Sequence, residues 1–346
     1  MAQSKRTLAP TTRMAIQAAV AVTIAILIGH FLQFERSYWA ILTAMVLISQ
    51  TFGESIKKSL IRLIMTILGG LSGTLIFFLI KDSPYLLLGC LLACLFLVVF
   101  FLEISYLWVV FFLTHLVVFL FALLQNWTLE LLMARIEETF IGAFIAIVTS
   151  ALVLPTRART QLADSVPQFL KLASELADAS LAQFYTPSKA QRLLNKKRLE
   201  LLKAFATVDS HAKTMNYEVF FGTSSQAKFK TLLLEFNVLM HYIVCLVETL
   251  PYLTHNKTLA MVKPEILQTQ QVIQHNFSLL LSYAQAQTPG KDFIDLDANK
   301  QAIFAKVNAS IQAKPDTKEC WLAFYPFYYF LRRINDIIMS LITQLK

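Results

Sequence analysis

From Met14 to Leu32 the chain runs 19 residues without an Asp, Glu, Lys or Arg. As a helix that is long enough to cross a hydrocarbon layer about 30 Å thick. Five more apolar runs follow before residue 155: Tyr38–Phe52, Leu63–Ile80, Pro84–Leu102, Tyr106–Gln125 and Thr139–Leu154. The second is short and more polar, with Thr43, Ser49, Gln50 and Thr51. The turns between them read LQFERS, GESIKKSLIR, KDSP, EIS and NWTLELLMARIEE. In hydrocarbon every backbone N–H and C=O must be satisfied within the protein, so segments of this kind fold as helices. An all-α fold is expected: a six-helix transmembrane bundle over residues 14–155, preceded by a cytoplasmic segment, 1–13, and followed by a cytoplasmic α-helical bundle, 156–346.

Composition agrees with this division. Charged residues make up 15% of the 346 and phenylalanine occurs 27 times, while mean hydropathy is +0.56. Soluble proteins carry about 25% charged residues. The net charge of +9 is uneven. Residues 1–154 hold nine Lys/Arg and seven Asp/Glu, and the remainder hold 22 and 15. A basic C-terminal half fits either nucleic acid or the anionic cytoplasmic leaflet. Membrane attachment favours lipid, and no nucleic acid is expected. Cys90, Cys94, Cys245 and Cys320 form no C-x-x-C pair and read as free thiols.

Lys5, Arg6 and Arg13 precede the first run as they would in a secretory signal. The run is too long for one, and GHFLQFERS lacks a small-x-small cleavage site, so a retained helix is expected. With the N-terminus inside, cytoplasmic segments carry Lys5, Arg6, Arg13, Lys57, Lys58, Arg62, Arg157 and Arg159, against Arg36, Lys81 and Arg135 outside. This bias places both ends in the cytoplasm of a cell inner-membrane protein.

Small residues mark close helix packing. Ala21, Ala25 and Gly29 recur every fourth position, as do Gly69 and Gly73, next to Gly70, and Gly142, Ala146 and Ser150. That spacing lines one helix face and lets backbones approach. The fourth and fifth runs, mostly Leu, Phe and Val, suit lipid-facing positions. Ionisable residues near hydrocarbon are costly and therefore informative. Arg62 opens the third run, Arg135, Glu137 and Glu138 precede the sixth, Glu103 lies between the fourth and fifth, and His30 and His115 lie in or near spans. Each has a structural reading, as an ion pair or a snorkelling side chain, beside a functional one.

The stretch SYWAILTAMVLISQTFGESIKKSLIRLIMTILGG contains Tyr38-Trp39-Ala40, Gly53, Arg62, Thr66, Gly69 and Gly70. A second stretch, ARIEETFIGAFIAIVTSALVLP, supplies Arg135, Glu138, Gly142 and Pro155. Together they resemble the signature of the fusaric acid resistance and aromatic acid exporter superfamily over roughly residues 14–155. The resemblance implies six membrane helices followed by a helical cytoplasmic domain. Many members carry this unit twice. Here it occurs once, which implies a homodimer if two units build a pathway. Bacterial relatives export aromatic carboxylic acids, some with a periplasmic adaptor protein, and related plant proteins conduct organic anions such as malate.

A path for a small organic anion needs fixed cations and apolar or aromatic walls. Arg62, Lys57 and Lys58 lie at the inner end of the expected bundle and Arg135 at the outer end. Tyr38 and Trp39 either line a wall or belong to an interfacial aromatic belt. Glu138 either carries a coupling proton or balances Arg135.

GESIKKS lacks the G-x-x-x-x-G-K-[ST] spacing of a phosphate loop, so a gradient rather than ATP hydrolysis on this chain is expected to drive transport. No H-E-x-x-H or G-x-S-x-G occurs and the six His are scattered. No enzyme activity, metal or cofactor is expected.

After Pro155, amphipathic helices are expected over 159–185, 188–218, 224–253, 264–286, 299–313 and 318–344, with Ser188 and Ser224 as N-caps and proline or glycine, including Pro251, between them. Leu232–Leu253 is strongly apolar but holds Glu235, Asn237, His241 and Glu248, and Trp321–Leu331 is followed by Arg332, Arg333 and Asp336. Both read as core helices of the cytoplasmic bundle. Leu194-Asn195-Lys196-Lys197-Arg198 reads as a solvated face or as a site for anionic lipid or RNA. The alternative to a transporter is a membrane scaffold or regulator whose cytoplasmic bundle recruits a partner.

Overall fold

The computed structural model describes residues 9–33, 37–124, 126–183, 191–219, 226–253, 262–287, 292–313, 321–322 and 324–345. Lys5, Arg6, Arg36, Ser188, Ser224 and Cys320 lie outside these. The named elements are all helices: α1 (Pro10–Phe31), α2 (Tyr38–Leu47), α3 (Phe52–Ile80), α4 (Pro84–Phe101), α5 (Tyr106–Leu123), α6 (Leu129–Leu152), α7 (Ala158–Ala182), α8 (Gln191–Val219), α9 (Gln226–Leu253), α10 (Lys263–Ala284), α11 (Asp297–Ala313) and α12 (Phe324–Leu345). They form two compact units, one of residues 1–158 and 214–222, the other of 159–213 and 223–346.

In the first unit, two segments expected as turns are helix. GESIKKSLIR belongs to α3, whose N-cap Thr51 accepts the Glu54 N–H at 3.1 Å. Glu54 and Lys58 pair at 3.1 Å across one turn. LELLMARIEE is the start of α6, capped by Thr128, which accepts the Leu131 N–H at 3.2 Å. Charge density at both places reads as loop in sequence. The helices continue because Arg62, Arg135 and Glu138 turn inward and are buried. Arg62 therefore lies within α3 instead of opening a span, and Arg135 and Glu138 lie within α6 instead of preceding it.

The second apolar run is also shorter than expected. α2 ends at Leu47, and extended backbone at Ile48 and Thr51 separates it from α3. Ten residues of helix reach only about 15 Å. Among the described residues five helices are long and apolar enough to cross a membrane: α1, α3, α4, α5 and, in the second unit, Lys230–Pro251 of α9. α6 is long enough but carries Glu130, Arg135, Glu137 and Glu138.

α1, α2 and α6 pack through Ala21, Ala25, Ala44, Leu47, Ala143 and Ala146. α4 and α5 pack through Leu87, Cys94, Val118 and Phe119. α4 buries only Leu87 and Cys94, as a lipid-facing helix should. α5 departs from that expectation. It buries Val110, Thr114, His115, Val117, Val118, Phe119 and Ala122 because it packs on both α3 and α4.

The glycines expected at helix contacts are there. A Cβ on Gly142 would lie 2.6 Å from the Ala40 carbonyl, and one on Gly69 would lie 2.9 Å from that of Phe111. Gly73 faces Val118 and His115, Gly70 the Leu132 side chain, and Gly29 the Ser37 Cβ.

The second unit has an apolar core. α12 buries Phe324, Phe327, Tyr328, Leu331, Ile334, Ile338 and Leu341 and packs on α9, which contributes Phe236, Leu239, Ile243, Leu246 and Leu250. Burying such a side chain is worth about 1.5–3 kcal/mol. The carboxylates of α9 have polar partners. Glu235 accepts from Ser340 at 2.8 Å and from Gln344, and Glu248 pairs with Arg198 at 3.1 Å. The basic run is paired throughout: Lys196 with Glu200, Lys197 with Glu175 and Arg198 with Glu248. These pairs make it a salt-bridged helix face. Pro251 lies inside the last turn of α9 instead of ending it, and Pro167 lies inside α7. Cys90, Cys94 and Cys245 are free.

Candidate anion site

α3 buries Ser55, Ser59, Arg62, Thr66, Gly69 and Gly73, in alternating steps of four and three. α6 buries Arg135, Glu138, Gly142, Ile145 and Thr149 in steps of three and four. This is the spacing of one helix face. The two helices pack on each other. Each thus turns a stripe of polar and small side chains inward and shows large apolar ones outside: Leu60, Ile64, Leu68, Leu71 and Leu75 on α3, Met133, Phe140 and Phe144 on α6. Glu137 is exposed.

Within the two stripes are Arg62, Arg135 and Glu138, only 9%, 4% and 3% exposed. The Arg135 guanidinium carbon lies 3.9 Å from the Trp39 ring centroid, a cation–π contact worth about 2 kcal/mol or more when desolvated. Arg62, Tyr38 and Glu138 are its charged or polar neighbours within Coulombic reach. The two arginines therefore belong to one site and not to opposite ends of a path.

Nε and Nη1 of Arg135 have no hydrogen-bond partner. The Ser49, Ser59 and Thr149 hydroxyls are likewise buried without one. The Tyr106 hydroxyl, on α5, lies beside Arg62 without a well-aligned hydrogen bond. A buried donor left unpaired costs about 1–3 kcal/mol, and more when charged. The unfilled donors of Arg135 give its surroundings capacity to bind an acceptor. Two guanidinium groups beside one carboxylate leave the site net positive. The indole of Trp39 supplies a flat wall, whereas Tyr38 is 45% exposed and tilts against Trp39 at 5.1 Å.

Lys57 and Lys58 are less suited to the site. Both are partly exposed, and Lys58 is paired with Glu54. Glu103 and His30 are exposed. His115 has a structural role. Its Nδ1 lies 3.0 Å from the Phe111 carbonyl and its Nε2 3.0 Å from Ser72 Oγ, locking α5 to α3.

Sequence reading missed Ser59 and Tyr106. A signal for Ser59 was present, since Ser55, Ser59, Arg62 and Thr66 keep helical spacing in an otherwise Leu- and Ile-rich segment. None was present for Tyr106, whose partner lies 44 positions earlier in the chain. Compared with known proteins, residues 24–149 match the family described as fusaric acid resistance protein-like, a range that holds all of α2, α3, α4 and α5, most of α6 and the whole arginine cluster. No curated protein matches the chain.

Proposed function

We propose, from the match of residues 24–149 to the fusaric acid resistance protein-like family, that the chain is an inner-membrane transporter of small organic anions, aromatic carboxylates foremost, working as a gradient-driven homodimer. The coarser part, a multi-pass membrane protein, rests on the family match, which suggests transport, and on helices long and apolar enough to cross a membrane. The observation that carries the anion reading is Arg135, buried against Trp39 with hydrogen-bond capacity unfilled and a second buried arginine nearby. A carboxylate would accept those N–H groups, and an aromatic body would lie against the indole. The homodimer is proposed because the unit occurs once here, on the premise that two units build a pathway.

Purified protein in liposomes should move radiolabelled 4-hydroxybenzoate under a pH gradient. Arg135→Met takes from the buried Glu138 carboxylate a cation within Coulombic reach, and a buried charge left uncompensated is destabilising. The variant is therefore expected to melt lower than wild type and, assayed at a temperature where it stays folded, to lose most of its flux, with Arg62→Ala also impaired. Wild-type protein without flux, or flux indifferent to both substitutions, would favour the scaffold alternative.

A further inference from the structure

The first N–H groups of a helix have no partner inside it. In α3 those of Phe52, Gly53 and Glu54 are all met. Glu54 N–H donates to the N-cap Thr51, but the other two reach far along the chain: Phe52 N–H to the Thr156 carbonyl at 3.0 Å and Gly53 N–H to Glu218 Oε1 at 3.0 Å. The same Glu218 oxygen accepts the N–H of Ala158, first residue of α7, at 2.8 Å. One carboxylate thus ties the starts of two helices, where the macrodipoles also favour negative charge. The fit is tight. A Cβ on Gly53 would run into the Thr214 carbonyl and lie 3.0 Å from Glu218 Cγ. Thr214 and Glu218, at the end of α8, belong to the same compact unit as α3.

This contact holds a particular place. Just before it the backbone breaks at residues 48–51, folded back by a Ser49 N–H to Ser55 Oγ hydrogen bond of 3.0 Å. Just after it the buried polar stripe begins at Ser55, and Arg62 follows nine residues beyond Gly53, about 13 Å along the helix.

We propose that Glu218 is a positioning residue for transport: it clasps the starts of α3 and α7, so that the end of α8 sets the register of the helix that carries Arg62. This rests on the transport reading above. Glu218→Ala and Glu218→Gln in the full chain, in liposomes, test it. Losing hydrogen bonds to a charged group corresponds to about tenfold or more. Glu218→Ala is expected to lower maximal 4-hydroxybenzoate flux by that factor with half-saturation unchanged. Hydrogen exchange should quicken in peptides containing Gly53 and Ala158 and stay slow in the rest of α3 and α7. Glu218→Gln, whose amide oxygen still accepts both N–H groups, should keep most of the flux. Should Glu218→Ala fail to accumulate, Gly53→Ala, which pushes the end of α8 away, carries the same expectation. Full flux in Glu218→Ala with both amides exposed would overturn the inference alone. Wild-type protein without flux would overturn the transport reading, and the inference with it.

Discussion

α3 and α12 are both long helices with one buried face, and they bury opposite things. α3 hides Ser55, Ser59, Arg62, Thr66 and four glycines and exposes leucine and isoleucine. α12 hides Phe324, Phe327, Leu331, Ile334, Ile338 and Leu341, and exposes Asp336 and Thr343. The contrast extends to their units. In water, burying apolar area drives assembly. In hydrocarbon that drive is absent between helices, so close backbone approach and interhelical polar contacts take its place. The two patterns are those expected of two solvents, and in the first unit apolar side chains cover the polar groups on the outside.

Substitutions can break this comparison. The largest loss is expected in the second unit. Phe327→Ala removes a fully buried ring and should cost about 3–5 kcal/mol, read by denaturant unfolding of the full chain in detergent. A loss under 1 kcal/mol would mean that the unit is not held by its apolar core. In the first unit, the sensitive positions should be the small residues. Gly142→Ala places a methyl against the backbone carbonyl of Ala40, which cannot swing aside, and is expected to cost about 1–3 kcal/mol. Gly70→Ala meets only the end of the Leu132 side chain, which escapes by changing rotamer for about 0.5–1.5 kcal/mol. Equal thermal shifts for the two glycine variants would show that backbone proximity does not control packing there.

Much of this was legible in sequence. α4 and α5 lie within two residues of their expected bounds, because Pro84 and the short EIS turn punctuate uniform apolar runs. The four-residue spacing of Ala21, Ala25 and Gly29 marked the buried face of α1. Failure came where local composition and tertiary environment disagree. Lys57, Lys58 and Glu137 read as loop, yet they lie in helices whose other side is buried, and Glu138 is on that buried side. The placing of Arg62 and Arg135 at opposite ends failed for the same reason: once α3 and α6 are extended toward their starts, the two side chains come together. Glu218 carried no signal, since its partners are backbone N–H groups at Gly53 and Ala158, which leave no trace in side-chain pattern.

The claim on which the rest depends is that the exterior of the first unit faces lipid and that of the second faces water. α9 is the sharpest case, because Lys230–Pro251 is apolar enough to cross a membrane while its Glu235 and Glu248 pair within the second unit. Spin labels at Leu75→Cys in α3, Leu92→Cys in α4 and His241→Cys in α9, in a background without native cysteines and in liposomes, report the solvent directly. Labels at 75 and 92 should be relaxed by oxygen, which concentrates in hydrocarbon. The label at 241 should be relaxed by a water-soluble nickel chelate. A nickel-accessible label at 75 or 92, or an oxygen-accessible, nickel-shielded one at 241, would contradict the account.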